Sequence, residues 1–411
     1  MRIKAVKARQ VINSKGHPTL EVEVSTSKNT AYSSIPIASS KSKYEYYDVY
    51  DNDLTRFDGE TLDNIIESVN RIVAPELIGK NSMDQEDIDG IILGIDNSFD
   101  RTHLGVNTIT ALSQSIARLG AMESDLPLFK YFRVLHDFSG HTHDRLHSDY
   151  SLPKPVITIY KSASHEKKNS LPVQEVLVLP KSDFYYSSDL VNMFSSLSQL
   201  SFDDSRHSLG TFLGDVTTDL RKKRFKFDLG IDMSASKYKR YDHGQYYIPN
   251  LKKAGINFSG DFKKLSKVYF DLVENNNLIF LEDLFDEDDY SAWKEFKDII
   301  LRKNKKVQVV ADDFTATNIE RLERVGLLES VNNVVIKPSQ VGTVTEVIQF
   351  ASRARKYGLS ITVSYRHGET EDTFISDLAV GVNAEFIRTG YYLGSEYNSK
   401  LNRLLQIEQS L

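Results

Sequence analysis

Cysteine is absent from the 411-residue sequence, which excludes disulfides, thiolate metal sites and a cysteine nucleophile. No stretch reaches the ~18 consecutive apolar residues that a membrane-spanning helix needs. The net charge of −6 gives no basis for nucleic-acid binding. The first residues lack the apolar core of a secretory signal, so a cytoplasmic location is expected.

Common nucleotide and hydrolase motifs are missing as well. The sequence has no glycine-rich loop of the Walker or Rossmann type and no Gly-x-Ser-x-Gly elbow. Apolar residues make up 40% of the chain and aromatic residues 10%. This composition is ample for the cores of two domains, or for one large barrel with an appendage.

Residues 1–137 have the pattern of a small α+β domain. Apolar and polar residues alternate over 2–11, 19–25 and 30–35, which predicts an antiparallel three-stranded sheet. Helical spacing of apolar residues follows between 62 and 134. Residues 138–411 are expected to form a second domain.

Short apolar runs between residues 227 and 388 each end in a charge. The charged ends are Asp232, Glu282, Asp312, Lys337, Arg366 and Arg388. Most separations between successive charged residues are close to the roughly 30 residues that one strand, one helix and two loops occupy. The alternation predicts a (β/α) barrel or a doubly wound sheet. In a barrel the carboxyl ends of the strands meet at one mouth, so these side chains would converge.

Three carboxylates at one mouth would repel one another unless a cation lay between them. Hard oxygen ligands suit Mg²⁺, so the pattern indicates a magnesium site. The alternative is that each charge ends a strand and meets solvent or an ion-pair partner. Six charges in register weaken that alternative, because buried charge is unfavourable without a partner.

A histidine-rich segment separates the two regions. His141, His143 and His147 lie within residues 139–153, and His136 comes just before them. A transition-metal site would need these imidazoles in a fixed geometry. The alternative is a solvated linker, and the sequence leaves both open.

Motifs along nearly the whole chain resemble those of the enolase family. Residues 8–24, ARQVINSKGHPTLEVEV, are similar to the family's ARQIxDSRGNPTxEVEV. Residues 230–236, 282–286 and 311–318 resemble GxDxAAS, EDPFD and ADDLTVTN. Further matches, in the family's order, are 162–165 with GGSH, 174–175 with QExxxxP, 337–343 with KVNQIGT, 364–372 with SHRSGETED and 388–390 with KTG.

The resemblance implies an enolase-type fold, in which an N-terminal α+β domain caps a C-terminal TIM-like (β/α)8 barrel whose first hairpin is antiparallel. It implies the glycolytic dehydration of 2-phosphoglycerate, or of a related phosphorylated hydroxy acid, to phosphoenolpyruvate with Mg²⁺. It also implies a homodimer formed through the N-terminal domain. An α-proton beside a carboxylate is weakly acidic, and divalent cations on that carboxylate stabilise the dianion left behind.

Roles for single residues come from the same resemblance. Asp232, Glu282 and Asp312 fall on the ligands of the first Mg²⁺, and Ser40 falls on a ligand of the second. Lys337 falls on the base that removes the α-proton. The implied substrate contacts are His165 and Glu175 near the departing hydroxyl, Arg366 on the phosphate, His367 beside it, and Arg388 on the substrate carboxylate.

Departures from the family pattern gather at this site. Val216 stands where the family has its general-acid glutamate, and Asp215 or Asp219 is a candidate to replace it. Loss of a general acid lowers a rate by about 10²–10⁴-fold. Weak dehydration is therefore expected, and the substitution Val216→Glu is expected to raise it.

Other departures affect the loop and the substrate contacts. Residues 37–42 lack the family's hinge glycines and carry Lys41, which is expected near the second metal, where it would compete with Mg²⁺ for the phosphate. Around the phosphate and carboxylate positions, the family's His, Ser and Lys are replaced by Tyr365, His367 and Arg388.

Three functions remain open at this point. The chain is an active enolase-type lyase, or an inactive paralogue that binds Mg²⁺, a ligand or a protein, or an enzyme that begins with the same proton abstraction and ends in epimerisation or another elimination. The retained metal-type carboxylates and Lys337 favour the first. Val216 and the altered loop favour the second, and the fold alone does not separate them.

Overall fold

The structure is a computed structural model that describes residues 1–38, 41–138, 149–162, 171–181, 183–200, 208–240, 244–253 and 256–411. The predictions for Ser40, His165, His141, His143 and His147 fall outside these residues. Among the helices within them, none combines the length and apolar character needed to cross a membrane.

An antiparallel sheet begins the chain, as the alternating pattern predicts. Its strands are β1 (Ala5–Ile12), β2 (Pro18–Ser25) and β3 (Thr30–Ser34), paired in that order. Leu20, Val22 and Val24 are fully buried, because alternate residues of a strand face the same side. They form one core with apolar residues of the helices that follow.

Five helices pack after this sheet. They are α1 (Asp63–Ser68), α2 (Ala74–Leu77), α3 (Gln85–Asp96), α4 (Val106–Glu123) and α5 (Leu128–Phe138), with a 3₁₀ turn at Phe57–Gly59 and a π-helical turn at Val69–Val73. Helix α4 covers β2 and β3. Phe129 and Phe132 of α5 instead join the core of the second region. The domain division at residue 137 stays a prediction.

Strands and helices alternate through the second region. Its strands are β4 (Lys154–Lys161), β5 (Glu175–Pro180), β6 (Phe227–Asp232), β7 (Lys239–Arg240), β8 (Gln245–Lys253), β9 (Ile256–Gly260), β10 (Leu278–Glu282), β11 (Gln308–Ala311), β12 (Asn333–Ile336), β13 (Ser360–Ser364) and β14 (Phe386–Tyr391). Its helices are α6 (Tyr186–Leu197), α7 (Leu209–Arg221), α8 (Phe262–Asn276), α9 (Tyr290–Lys303), α10 (Ile319–Leu327), α11 (Pro338–Val341), α12 (Val344–Lys356), α13 (Phe374–Gly381) and α14 (Ser395–Ser410).

Eight of these strands close a barrel in the order β10-β11-β12-β13-β14-β4-β5-β6. Strand β5 is antiparallel to both β4 and β6, and the other neighbours are parallel. The prediction of a TIM-like barrel with an antiparallel first hairpin is confirmed. A second small sheet, β7-β8-β9, lies between β6 and α8 in the chain, which explains why the interval from Asp232 to Glu282 is longer than one strand-helix unit.

Both faces of the barrel strands are buried, which is why the sequence shows continuous apolar runs rather than alternation. A compact cluster of Val156, Leu177, Leu179, Phe280, Val310 and Val335 is separate from the main core, in which the helices pack against the strands. Gly230 lets β6 approach β10 closely, because a Cβ there would lie 2.9 Å from the Cβ of Phe280.

Buried polar contacts tie the N-terminal helices to the barrel. Asp89 of α3 accepts hydrogen bonds from the backbone and hydroxyl of Thr345, at 3.0 and 2.6 Å, at the start of α12. The guanidinium of Arg101 forks onto Glu346, with contacts of 2.9 and 2.5 Å. The N-terminal domain is therefore fixed over one side of the barrel mouth.

Candidate active site

The six charged strand ends converge at the barrel mouth, as the sequence predicts. Glu282 and Asp232 are register partners on adjacent strands, and Asp312 directly follows β11 on the other side. The Lys337 ammonium forms an ion pair with Asp312. Arg388 contacts both Glu282 and Asp232. One amine and three acidic side chains therefore share a single site.

Arg388 lies at the centre of this site and is only 2% exposed. Its Nη1 pairs with Glu282, and both Nη atoms lie 3.4 Å from Oδ2 of Asp232. Its Nη2 lies 2.5 Å from Oε2 of Glu175. A planar fork of this kind can contact several carboxylates at once, which a lysine ammonium on the same strand could not match.

Lys337 is buried beside Asp312. Burial lowers the pKa of its ammonium, but the Asp312 and Glu282 carboxylates raise it, and the pKa is raised overall. The Arg366 and Arg388 guanidinium groups act in the opposite direction. Lys337 is thus protonated while Asp312 faces it.

Glu175 is fully buried and is surrounded by donors. Although burial raises its pKa, the guanidinium of Arg388 holds the pKa well below the usual range, assisted by His367 and Lys161. The Tyr365 and Thr158 hydroxyls also donate to this carboxylate, the latter at 2.7 Å. Glu175 is therefore ionised in this arrangement and has no proton to give to a leaving hydroxyl.

His367 lies beside Glu175, with its Nε2 3.4 Å from Oε1. Burial lowers the pKa of its imidazole to about 4, against the opposing effect of the Glu175 carboxylate. Between about pH 6.5 and pH 4 the unfolded chain binds a proton here that the folded chain does not, so stability falls as the pH falls through this window and is retained above it.

We expect His367→Asn to lose less thermal stability than the wild type when the pH is lowered from 7 to 5, since the variant has no imidazole to protonate on unfolding. Thermal midpoints measured across this range would show the difference. His17→Asn, which removes an exposed histidine, is the matched control. Parallel pH curves for the wild type and the His367 variant would contradict the expectation.

Arg366 faces a carboxylate from the N-terminal domain. Its Nη2 lies 2.7 Å from Oε2 of Glu45, and both side chains are almost completely buried. Glu45 also accepts hydrogen bonds from Gln340 Nε2 at 3.3 Å and from the backbone of Ser42 at 3.0 Å. The guanidinium expected on a substrate phosphate is thus occupied by an internal anion. Sequence reasoning missed Glu45, because it follows no strand and belongs to no apolar pattern.

The segment that carries Glu45 is fastened over the mouth. Ser42 donates to Glu287 at 2.5 Å, and Tyr44 donates to Asp288 at 2.5 Å. The guanidinium of Arg321 lies 3.5 Å from the centre of the Tyr44 ring. Lys41 pairs with Asp48 at 2.7 Å. In this arrangement the Lys41 ammonium has an ion-pair partner within its own segment, and its expected competition with Mg²⁺ for the phosphate stays a prediction.

Substituting Glu45 with glutamine is expected to tighten the binding of inorganic phosphate by about tenfold, since 1.4 kcal/mol of lost competition corresponds to that factor. The reason is that Arg366 would lose its internal counter-ion while the shape of the site is kept. Calorimetric titration of phosphate would measure it, with Glu67→Gln on an exposed surface of α1 as the control. Unchanged affinity would show that Glu45 does not compete for the anion.

The remaining cavity at the mouth is about 20 Å³, close to the volume that one water molecule needs. Its lining includes Ala38, Glu45, Gln174, Asp232, Asp312, Asp313, Lys337, Ser364, Tyr365, Arg366, His367 and Arg388.

The donor set suits a hard divalent cation. Oε2 of Glu282 is buried and has no hydrogen-bond partner within the described part of the chain. One carboxylate oxygen each from Asp283, Asp312 and Asp313 lie within 4.8 Å of one another. Burial raises the pKa of Asp232 and Glu282, and repulsion from neighbouring carboxylates adds to it although Arg388 opposes it. This excess of negative charge fits Mg²⁺.

The structure corrects the placement of Val216. This residue is 0% exposed and lies on the apolar face of α7, with Phe212, Leu213 and Leu220. Since α7 is joined to the start of β6, its beginning faces the mouth, and Val216 lies seven residues further along the helix, roughly 10 Å away. The predicted acid position is wrong for this reason: a side chain there enters the core.

The other candidate acids also differ from expectation. Asp215 is on the exposed side of α7, and Asp219 pairs with Lys222 at 3.1 Å. Neither belongs to the lining of the mouth. His136, which precedes the histidine-rich segment, is part of α5 and is 0% exposed.

Comparison with known proteins gives the same family for both regions. The family model for "Enolase, N-terminal domain" matches residues 3–132. The model for "Enolase, C-terminal TIM barrel domain" matches residues 211–411. The enolase of Pelagibacter ubique (strain HTCC1062) is 31% identical over 431 aligned positions, which cover 100% of this chain and 97% of that protein.

Proposed function

The chain belongs to the enolase family, and we propose that it is an enolase-type lyase. Its substrate would be 2-phosphoglycerate or a related phosphorylated hydroxy acid. Lys337 would take the α-proton, the β-hydroxyl would leave as water with one more proton, and phosphoenolpyruvate would result. The observation that carries this proposal is the buried contact of Lys337 with Asp312 beside Asp232 and Glu282.

Mg²⁺ would be held by Asp232, Glu282 and Asp312, where it would supply positive charge to the carboxylate of the deprotonated substrate. The role of this chain's own residues follows from their charge. Arg366 would bind the phosphate through its fork, and Arg388 would bind the substrate carboxylate. Lys337 would lose its proton more readily as Asp312 is drawn away from it, because the Asp312 carboxylate raises its pKa more than any other group does.

Proton abstraction and dehydration would proceed at different rates in this chain. A general acid must carry a proton, and Glu175 is ionised at the mouth. Asp215 and Asp219 lie on the outside of α7. None of Glu175, Asp215 and Asp219 is therefore placed to supply that proton, so we expect the first half of the reaction to outpace the second.

The test is incubation with 2-phosphoglycerate and Mg²⁺ in deuterated water, with chelator as the control. We expect deuterium to appear at the α-carbon faster than phosphoenolpyruvate forms. Dehydration as fast as exchange would show that an acid is in place. Absence of both exchange and dehydration would contradict the proposed lyase.

An inactive paralogue that binds a ligand is the second candidate. The observation that favours it is the self-filled mouth, in which Glu45 and Arg388 occupy the anion and cation positions and about 20 Å³ remains. It predicts neither exchange nor dehydration. The homodimer and the cytoplasmic location stay predictions.

A further inference from the structure

We propose that Arg388 competes with the divalent cation for Asp232 and Glu282, so that Mg²⁺ binds tightly only when an anionic ligand draws the guanidinium away. This inference rests on the proposed function for the identity of the cation and of the ligand. It makes Arg388 a residue that couples metal binding to substrate binding, in addition to a substrate contact.

The contacts of Arg388 involve the same carboxylates that would hold the cation. Its Nη1 pairs with Glu282 and lies 3.4 Å from Asp232, while Nη2 is 3.4 Å from the same Asp232 oxygen. Glu282 and Asp232 are 0% and 2% exposed. The cavity that the described residues line around Arg388 is about 20 Å³, which leaves little solvent there to screen two cations from each other.

A guanidinium cannot yield this place by losing its proton, because arginine stays charged in proteins. Two cations on the same pair of buried carboxylates repel each other strongly in a medium of low dielectric. Mg²⁺ therefore requires the guanidinium to swing away from Glu282 and Asp232. A guanidinium moved without a new partner would be a buried, unpaired charge, which is unfavourable.

The network around Arg388 also has unused hydrogen-bonding capacity on both sides. Its Nε and the Oε2 of Glu282 are buried and have no hydrogen-bond partner among the residues described. Arg388 can thus accept another anion, and Glu282 can accept another cation. A ligand carboxylate would satisfy the guanidinium with two parallel hydrogen bonds and release the protein carboxylates.

Coupling of this kind is reciprocal: a ligand that strengthens Mg²⁺ binding is itself bound more tightly in Mg²⁺, by the same factor. A lysine at position 388 would compete less, because its shorter side chain carries one nitrogen in place of the two Nη atoms that together contact Glu282, Asp232 and Glu175. The substitution Arg388→Lys should therefore strengthen the binding of Mg²⁺ alone and weaken its dependence on the ligand.

The experiment is calorimetric titration of Mg²⁺ alone into the wild type and into Arg388→Lys. We expect the variant to bind Mg²⁺ about tenfold more tightly or better, the factor given by 1.4 kcal/mol of removed competition. The control is Arg101→Lys, which alters another buried forked arginine, at the contact with Glu346, and should bind Mg²⁺ as the wild type does. Thermal unfolding verifies that each variant is folded.

A second titration uses the wild type only and so does not depend on the folding of a variant. Phosphoglycolate carries a carboxylate and a phosphate but no hydroxyl to eliminate. It should raise the Mg²⁺ affinity of the wild type by about tenfold, and it should raise that of Arg388→Lys less.

Equal Mg²⁺ affinities for the wild type and Arg388→Lys, with no effect of phosphoglycolate, would overturn the inference. Failure of both proteins to bind Mg²⁺ would overturn it together with the metal site of the proposed function. If the affinities follow the expected order but 2-phosphoglycerate undergoes neither exchange nor dehydration, the coupling stands and the proposed lyase activity fails.

Discussion

Replacing Lys337 with methionine is expected to reduce α-proton exchange in 2-phosphoglycerate by about 10²–10⁴-fold, the usual contribution of a general base. The amine is the group that would accept the proton, and it lies at the end of β12 against Asp312. The measurement is deuterium incorporation by mass spectrometry at saturating Mg²⁺. Lys263→Met, on the exposed side of α8, is the control and should exchange like the wild type.

A second variant separates the charge of Lys337 from its basicity. Lys337→Arg keeps a cation beside Asp312 but cannot release its proton, so exchange should be lost while the ion pair and the stability are largely kept. Lys337→Met leaves Asp312 without its partner, and its thermal midpoint should fall in the absence of Mg²⁺. Exchange at the wild-type rate in Lys337→Arg would show that another residue is the base.

Val216→Glu is expected to destabilise the folded chain by on the order of 3–5 kcal/mol, the penalty for an unpaired buried charge, and to leave dehydration no faster. Val216 packs with Phe212, Leu213 and Leu220 on the face of α7 that enters the core. Urea unfolding would measure the loss. Thr218→Glu places the same carboxylate on the exposed side of the helix, where the change should stay within about 0.5 kcal/mol.

Val216→Gln separates the effect of charge from that of size. It should be less destabilising than Val216→Glu at pH 8, and the two should converge as acid protonates the introduced carboxylate, since burial raises its pKa. Increased phosphoenolpyruvate formation by a stable Val216→Glu variant would contradict the location of this residue and support the original family correspondence.

The strand-end charges could be predicted because strand-helix units of similar length bring the carboxyl ends of their strands together. Asp232, Glu282, Asp312 and Lys337 therefore meet as expected. The pairing of Arg388 could not be predicted, because the reach of a guanidinium across a barrel depends on side-chain conformation. A sequence pattern predicts where the backbone of a residue lies but not which groups the end of a long side chain contacts.

The sequence analysis overlooked Glu45 and assigned Val216 to the wrong place, for different reasons. Glu45 reaches Arg366 from a segment more than three hundred positions away, with no periodicity to mark it. Val216 was assigned by a short motif, although apolar residues at Leu209, Phe212, Val216 and Leu220 follow the spacing of an amphipathic helix. That spacing indicates that Val216 is buried, and it is stronger evidence than the similarity of residues 213–218 to the family's acid motif.

The self-filled mouth has a consequence for selectivity among metabolites. Glu45 neutralises Arg366, and three carboxylates neutralise Arg388, so an incoming molecule must replace two ion pairs in different parts of the site. A monoanion such as acetate would pair with only one of the two guanidinium groups, and the other would keep its carboxylate partner within the protein. Only a compound with two separated anionic groups would replace both, so we expect the resting protein to select ligands by the spacing of their charges.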